Sequence, residues 1–294
     1  MRAAILVCAC LALVAAAAPD EAPAIESGTL PAGWPTGRSC PEAEFQVHSY
    51  NDDFAILRQS GCTNFEKPFL YLVFGADKAL LVDTGAKGAD PARPVAAARD
   101  AWAARHGGRR LPLVVLHSHG HGDHIAGDAS LAALPDTTVI AATPEALQHA
   151  LGFRNWPADV ATIDLGGRTL DVVPIPGHQP ASVAIYDRRT AVLLTGDTLY
   201  PGRLYVRDAK AFEASVQRLV DFTASRPVAH VLGAHIEQSR TPFVDYPEGT
   251  TSQPDEHVLE LGRAHLLELR DALRAMNGAI VRQRLRDFTI WPVS

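Results

Sequence analysis

A run of histidines and aspartate directly after a strand-like stretch constrains this chain more than any other feature. Four apolar residues, Leu113 to Leu116, predict a buried strand, and the sequence continues as HSHGHGDH. Alternate residues of an extended chain point to one side, so His119 and His121 can reach one cation. Asp123 and His124 lie where the chain turns into a predicted helix and can face a second cation. A solvated histidine-rich loop is the alternative, which the H-x-H-x-D-H order after a strand disfavours.

Three further residues of metal-ligand type each follow an apolar, strand-like stretch and a glycine. They are found in Gly177-His178, Gly196-Asp197 and Gly233-Ala234-His235. In layered α/β folds the carboxyl ends of strands meet at one edge, so these side chains are expected to converge with the histidine run. Five histidines and two aspartates can hold two ions, and imidazole and carboxylate are ligands that zinc prefers.

Strand-like and helix-like stretches alternate along most of the chain and predict an α/β fold. The predicted strands are Phe45–His48, Phe54–Leu57, Phe69–Phe74, Ala79–Val82, Leu113–Leu116, Val139–Ala141, Arg168–Val173, Ser182–Tyr186, Ala191–Thr195 and Val228–Leu232. The predicted helices are Pro94–Arg105, one from the histidine run to about Pro135, Pro144–Leu151, Ala209–Ala224 and Glu256–Ala275.

The order of these motifs resembles the metallo-β-lactamase-fold superfamily over roughly residues 45–240. Asp83-Thr84-Gly85 is similar to the strand-end motif that precedes the first helix of that family. The resemblance implies a four-layer αβ/βα sandwich with a dinuclear site. It assigns one ion to His119, His121 and His178, the other to Asp123, His124 and His235, and a bridging role to Asp197. It also implies that Asp83 supports the ligand loop, and a turn-forming aspartate is the alternative.

The predicted activity is that of a dinuclear zinc hydrolase. Two ions share a water and lower its pKa towards about 7, and the resulting hydroxide attacks a carbonyl or phosphoryl centre. Asp123 is predicted both to ligate a metal and to orient or shuttle the proton. The favoured substrate is a small-molecule ester, lactone or thioester, with a β-lactam or a phosphodiester as the alternative.

Asp197 and Tyr200 favour the glyoxalase II and lactonase branches over the β-lactamases. The carboxylate of Asp197 suits the glyoxalase II, lactonase and phosphodiesterase branches better than the β-lactamases, and His124 stands where some β-lactamases carry arginine. Tyr200 resembles the tyrosine that lactonases place near the substrate carbonyl, with a packing role as the alternative. A mononuclear iron persulfide dioxygenase would need only His119, His178 and Asp197. A non-catalytic binding protein, the other rival, would be expected to lose ligands, and none is lost.

The first residues have the pattern of an export signal. One arginine, an apolar stretch and small residues predict a signal peptide over residues 1–17, hence a periplasmic or secreted protein. Lipid attachment at Cys10 is the alternative. Residues 18–44 are predicted as an exposed lead-in, 45–240 as the main domain, and 241–294 as a helical extension packed on it. Cys40 and Cys62 predict a disulfide in an exported protein, with two buried thiols as the alternative.

Charge and hydropathy limit the partners. The net charge of −6 gives no basic face, so nucleic acid is not an expected partner. After the N-terminus no apolar run is long enough to span a bilayer. A small-molecule substrate is the expected partner, and the sequence leaves the oligomeric state open.

Overall fold

The computed structural model describes residues 24–34 and 36–293, and the strands of this part form three sheets. The first sheet contains, in spatial order, β1 (Phe45–Asn51), β2 (Phe54–Gln59), β3 (Phe69–Phe74), β4 (Ala79–Val82), β5 (Leu113–Leu116) and β6 (Thr137–Val139). The second contains β13 (Glu260–Leu261), β12 (His230–Gly233), β10 (Val192–Gly196), β9 (Val183–Asp187), β8 (Thr169–Pro174) and β7 (Ala161–Asp164). The third contains β11 (Arg203–Val206), β15 (Thr289–Pro292) and β14 (Gln283–Arg284).

Helices cover the outer faces of the two large sheets. The helices of the described residues are α1 (Ala92–Arg105), α2 (Gly122–Ile125), α3 (Asp128–Ala132), α4 (Pro144–Leu151), α5 (Ala209–Phe222) and α6 (Arg263–Ala275). Val95 and Trp102 of α1 pack on the first sheet, whereas Phe212 of α5 and Leu269 of α6 pack on the second. The layers therefore run helix, sheet, sheet, helix, which confirms the predicted αβ/βα sandwich.

The main core lies between the two large sheets and follows from the two-residue period of a strand. In β2, Ile56 points to the inter-sheet core, while its neighbour Leu57 points to the layer of α1. Ile185 and Leu194 complete the inter-sheet core from the second sheet. Strands apolar on both faces become central strands because each face is covered, and burial stabilises by about 25 cal/mol per Å² of apolar surface.

The helix predicted between the histidine run and Pro135 is instead two short helices, α2 and α3. Gly127 separates them, and a Cβ there would lie 2.3 Å from Pro91 Cγ and 2.5 Å from the Thr84 carbonyl oxygen. The Gly127 amide donates to Thr84 Oγ1 over 3.2 Å. This close approach to the segment after β4 takes the place of a continuous helix.

The helix predicted from Glu256 begins only at Arg263. Glu256 is instead buried in an ion pair with Arg58, and Leu261 pairs with Val231 in the second sheet. These long-range contacts outweigh local helix propensity. The sequence also missed β7, β11, β13, β14 and β15, so residues 241–293 contain three strands (β13, β14 and β15) beside α6.

The structure describes only part of the N-terminal region for which predictions were made. The predicted signal peptide and Cys10 lie outside the described residues. Within the predicted lead-in, Trp34 is buried with its ring centroid 5.0 Å from that of Phe69, although most neighbouring residues are exposed. The predicted disulfide between Cys40 and Cys62 is confirmed, with 5.8 Å between the Cα atoms. No helix of the described chain has the length and apolarity that a membrane crossing needs.

Candidate metal centre

The strands deliver the ligand-type residues to one place because their carboxyl ends meet there. β4 and β5 run parallel, and β10 and β12 run parallel. β8 and β10 both run antiparallel to β9 and so share one direction. The segments after these strands therefore emerge along one edge of the sandwich. They supply all seven residues predicted as metal ligands.

The seven residues form two groups that share one member. Nitrogen and oxygen atoms of His119, His121, His178 and Asp197 lie within 4.8 Å of one another. The same limit holds for Asp123, His124, His235 and Asp197. This grouping matches the division that the family resemblance implies.

Asp197 joins the two groups through its two carboxylate oxygens. Oδ2 faces the first group, at 3.7 Å from His119 Nε2 and 3.4 Å from His178 Nε2. Oδ1 faces the second, at 3.5 Å from His124 Nε2 and 3.4 Å from His235 Nε2. Oδ1 is buried and has no hydrogen-bond partner among the described residues. A buried carboxylate oxygen is costly to leave unpaired, and a cation would satisfy it.

The first group has the spacing of a small tetrahedral ion. Zinc lies about 2.0–2.1 Å from nitrogen or oxygen ligands, which places neighbouring ligand atoms about 3.3 Å apart. His121 Nδ1 lies 3.0 Å from both His119 Nε2 and His178 Nε2. It can donate a proton to only one of these nitrogens, whereas a cation satisfies all three.

The second group is still more regular. Asp123 Oδ2 lies 3.2 Å from His124 Nε2 and 3.3 Å from His235 Nε2. The two imidazole nitrogens are 3.4 Å apart. Together with the distances to Asp197 Oδ1, these values also fit four ligands around one small divalent ion.

Hydrogen bonds on the far side of two ligand rings, those of His178 and His235, fix the orientation of these rings. His178 Nδ1 donates to the carbonyl oxygen of Tyr205 over 2.8 Å, and His235 Nδ1 donates to that of Glu66 over 2.9 Å. A carbonyl only accepts, so the proton lies on Nδ1 and a neutral ring offers its Nε2 lone pair to the site. Sequence reasoning missed these carbonyls, and no sequence signal could have found them.

Asp83 supports the loop that carries the ligands. Its Oδ1 accepts from the Ser118 amide over 2.7 Å, and its Oδ2 accepts from Ser118 Oγ over 2.7 Å. Oδ2 also accepts from His124 Nδ1 over 2.9 Å. Asp83 has a positive φ of 66°, a conformation that aspartate tolerates better than most residues. His117, which was not predicted as a ligand, donates from Nδ1 to the His124 carbonyl oxygen over 3.1 Å and stays outside both groups.

Two of the glycines before ligand residues are required by close packing. Gly177 has a φ of +140°, and a Cβ there would lie 2.4 Å from the Phe212 backbone nitrogen. Gly196 has a φ of +50°, and its Cβ would lie 2.7 Å from Ser118 Cβ. Any side chain at either position would displace the ligand that follows it.

Charges in the two groups differ. Burial, and then repulsion from His124, hold the pKa of His119 well below its usual value, so the ring is neutral. Burial opposes a charge on His235, but Asp197 and Asp123 raise its pKa to about 9. Burial also opposes ionisation of Asp123, yet the charge on His124 holds the pKa of this carboxyl well below its ordinary range. The second group therefore attracts positive charge of the kind that a divalent ion supplies.

A cavity of about 420 Å³ opens onto both groups. Its walls include His121, Asp123, His178, Asp197 and His235, together with Glu66, Lys67, Tyr200, Arg203, Tyr205 and Arg207. This volume lies in the range that holds small-molecule ligands. Arg203 is held by a 2.7 Å ion pair with Glu237, a pair that sequence reasoning also missed.

Tyr200 lies beside the centre, with its ring centroid 5.5 Å from that of His235. Its hydroxyl donates to the carbonyl oxygen of Arg203 and lies 3.1 Å from Glu237 Oε2. A phenol has one proton, so donation to a substrate would require Tyr200 to release Arg203. The catalytic role of Tyr200 stays a prediction.

Comparison with known families agrees with this geometry. The model of the metallo-beta-lactamase superfamily matches residues 65–252. The chain belongs to this superfamily. The match covers every residue of the two ligand groups and the cavity wall from Phe65 to Thr250, while Gln253, Trp291 and Val293 of that wall lie beyond it.

Several curated proteins that are similar in sequence to this chain are named hydroxyacylglutathione hydrolase, which is the enzyme of the glyoxalase II branch. The protein of Anaeromyxobacter dehalogenans is 37% identical over 138 residues, which is 45% of this chain and 46% of the relative. That of Methylococcus capsulatus is 31% identical over 162 residues, 52% of this chain and 57% of the relative. The chain thus spans about half the length of the curated relatives it matches.

Solved structures of the superfamily share the fold. A metallo-beta-lactamase from Pontibacter korlensis superposes with a TM-score of 0.53 at 17% identity, covering 78% of this chain and 99% of that one. A mono-zinc metallo-beta-lactamase from Pseudomonas aeruginosa gives a TM-score of 0.51 at 16% identity, covering 81% of this chain and 98% of that one. At such identities the likeness concerns the fold alone.

Proposed function

We propose that this protein is a dinuclear zinc hydrolase that cleaves a small-molecule carboxylic ester, lactone or thioester. The observation that supports it most is the bridging position of Asp197, whose two oxygens face two separate ligand groups at the floor of one cavity. The names of the glyoxalase II relatives support a thioester or ester in place of a β-lactam or phosphodiester.

The residues of the metal centre have different roles in this reaction. When bound, the two ions would supply an acidified water and polarise the substrate carbonyl. Asp123, Asp197 and the five histidines would hold the ions. Asp83 and the carbonyl oxygens of Tyr205 and Glu66 keep three of the imidazole rings oriented through their far nitrogens. Asp123 lines the cavity beside both ligand groups, so its carboxylate would be placed to accept the proton of the attacking water and return it to the leaving group.

Metal content and a substrate panel test this proposal. The purified protein is expected to contain two zinc ions per chain and to hydrolyse an ester, lactone or thioester faster than any β-lactam or phosphodiester. Asp197→Ala is expected to lower metal content and turnover together. Asp221→Ala, which removes an exposed carboxylate on α5, is the matched control and should change neither.

Two results would contradict the proposal. A single iron per chain with oxygen uptake on a persulfide would assign the dioxygenase alternative. Full turnover with one ion per chain would exclude a dinuclear mechanism.

We also propose that the enzyme acts in the periplasm or outside the cell. The signal-like residues 1–17 and the disulfide between Cys40 and Cys62 support this location. Cell fractionation with mass analysis of the mature chain tests it, and the expected chain begins at residue 18. A lipid-modified Cys10 at the mature N-terminus would favour a membrane anchor instead.

A further inference from the structure

Three cationic side chains line the cavity, and two of them are committed to protein partners. Lys67 Nζ donates to the carbonyl oxygens of Phe65 and Thr250. Arg203 donates to Glu237 and to the carbonyl oxygen of Tyr246, each over 2.7 Å. These two charges hold the cavity wall together and have little capacity left for a ligand.

Arg207 differs from both. It is exposed at the cavity, and no carboxylate of residues 24–34 or 36–293 lies within 4.0 Å of its guanidinium. No side-chain hydrogen bond holds it within that part of the chain. Its planar group has donors arranged to match the two oxygens of a carboxylate. Arg207 is therefore the cavity cation that a ligand can engage.

The backbone at Arg207 is tied to the metal centre. The amides of Arg207 and Asp208 both donate to the Gly177 carbonyl oxygen, over 3.0 and 2.9 Å, and Gly177 directly precedes the ligand His178. On the other side, the Val293 amide donates to the Val206 carbonyl oxygen over 2.9 Å. The base of the Arg207 side chain thus has a fixed position relative to His178, which lowers the cost of ordering it around a ligand.

Arg207 lies on the side of the cavity that carries His178, because its amide donates to the carbonyl oxygen of the residue before His178. The cavity wall also contains carboxylates, one of which, Glu237, is paired with Arg203. A carboxylate of a substrate would be attracted to Arg207, whose charge has no carboxylate partner among the described residues.

We propose that Arg207 binds a carboxylate of the substrate. This carboxylate belongs to the acid part of the substrate and is separated by a short chain from the carbonyl group that is cleaved. This inference rests on the proposed function and makes it narrower: the substrates are esters or thioesters of dicarboxylic acids. Arg207 would then determine both specificity and the direction in which the substrate lies across the two ions.

Matched esters test the inference with the zinc-loaded full chain. The 4-nitrophenyl monoester of adipate and 4-nitrophenyl hexanoate differ only in a terminal carboxylate against a methyl group. We expect the parent to prefer the adipate ester in kcat/KM, and Arg207→Ala to lower kcat/KM for that ester by about tenfold, mainly through KM. The hexanoate ester should change by less than about twofold, and Arg207→Lys should retain part of the preference.

The control removes an arginine far from the centre. Arg109 is exposed and donates to the Ala76 carbonyl oxygen in the hairpin before β4, at the opposite end of that strand from Asp83. Arg109→Ala changes the net charge as Arg207→Ala does, so it should leave the preference for the adipate ester intact. An equal loss of the preference for the adipate ester in both variants would overturn the inference, because the net charge of the protein would then explain this preference.

Calorimetric binding of adipate and hexanoate to the zinc-loaded protein gives a readout that does not need turnover. The inference predicts that adipate binds about tenfold more tightly than hexanoate in the parent and loses this advantage in Arg207→Ala. Equal affinities in the parent would overturn it. If the binding difference holds while neither ester is cleaved, the carboxylate site stands and the proposed ester hydrolysis fails.

Discussion

Asp83 and His124, which lie 41 residues apart in the sequence, are joined by a 2.9 Å hydrogen bond from the imidazole Nδ1 to the carboxylate Oδ2. The bond connects the end of β4 to α2 and leaves Nε2 of His124 directed at Asp123 and Asp197. The same carboxylate holds the backbone of Ser118, directly before His119. Asp83 therefore positions one ligand in each group.

Replacing Asp83 should weaken metal binding without removing a ligand. Asparagine tolerates the positive φ of this position, so Asp83→Asn keeps the backbone while weakening acceptance from His124. We expect zinc affinity to fall by about 10- to 100-fold, measured by competition with a chromophoric chelator. Asp77→Asn, on an exposed carboxylate, is the control. Unchanged affinity in Asp83→Asn would show that its contact is dispensable for metal binding.

Tyr200→Phe separates a structural role from the catalytic role predicted from the sequence. Because the hydroxyl donates to the Arg203 carbonyl oxygen, we expect the free energy of unfolding to fall by about 1 kcal/mol, with ester turnover within about threefold of the parent. Tyr186→Phe removes a similar bond, to the Pro227 carbonyl oxygen, away from the centre and is the control. A loss in turnover of about 100-fold with both metals bound would instead establish Tyr200 as a donor to the substrate.

Lys67 should make stability depend on pH in the alkaline range. Burial, with the charge of Arg58, lowers the pKa of Lys67 from 10.5 to about 8. Between these values the unfolded chain binds more protons than the folded one, so the contribution of Lys67 to stability rises with pH. Relative to Lys67→Met, the parent should gain at most about 3 kcal/mol between pH 8 and 10.5 in urea unfolding. Lys210→Met, which removes an exposed lysine, should show the same dependence of the free energy of unfolding on pH as the parent. If Lys67→Met also shows the dependence of the parent, the lowered pKa of Lys67 is refuted.

The disulfide should stabilise the fold by restricting the unfolded chain. The bridged cysteines are 22 residues apart, a separation for which loop closure contributes about 3 kcal/mol. On addition of reductant, the urea midpoint of the parent should fall, and its free energy of unfolding should fall by about 3 kcal/mol. The variant with Cys40→Ser and Cys62→Ser should match the reduced parent and be insensitive to reductant. Two thiols that alkylate in the native parent without reductant would rule out the bridge in the isolated protein.

Local patterns were sufficient for the central strands and for the ligand-type residues. β3, β4 and β5 have the predicted bounds because each is a continuous apolar run between turn residues, a signal contained within the strand itself. The H-x-H-x-D-H order and the three Gly-preceded residues predicted which side chains meet, because strand ends in such a fold share one edge.

Only the tertiary structure decided the elements that depend on distant partners. The stretch from Glu256 has helical composition, yet the buried ion pair with Arg58 keeps it out of the helix. β11 exists because it pairs with β15, where Leu204 lies opposite Ile290, 86 residues later in the sequence. Neither strand has a strong local pattern. Long-range pairing of this kind leaves no periodic signal in either segment.

The sequence by itself determined the type of ligand at the centre, since five histidines and two aspartates supply imidazole nitrogens and carboxylate oxygens. The tertiary structure decided how that chemistry is arranged. It directs Nε2 of His178 and His235 at the site, because the main-chain carbonyls of Tyr205 and Glu66 accept from the far nitrogens of these two rings. Every residue has a carbonyl, so sequence cannot mark these two. Likewise, it left Arg207 without a carboxylate partner among the described residues while pairing Arg203 with Glu237, a difference that depends on position in space.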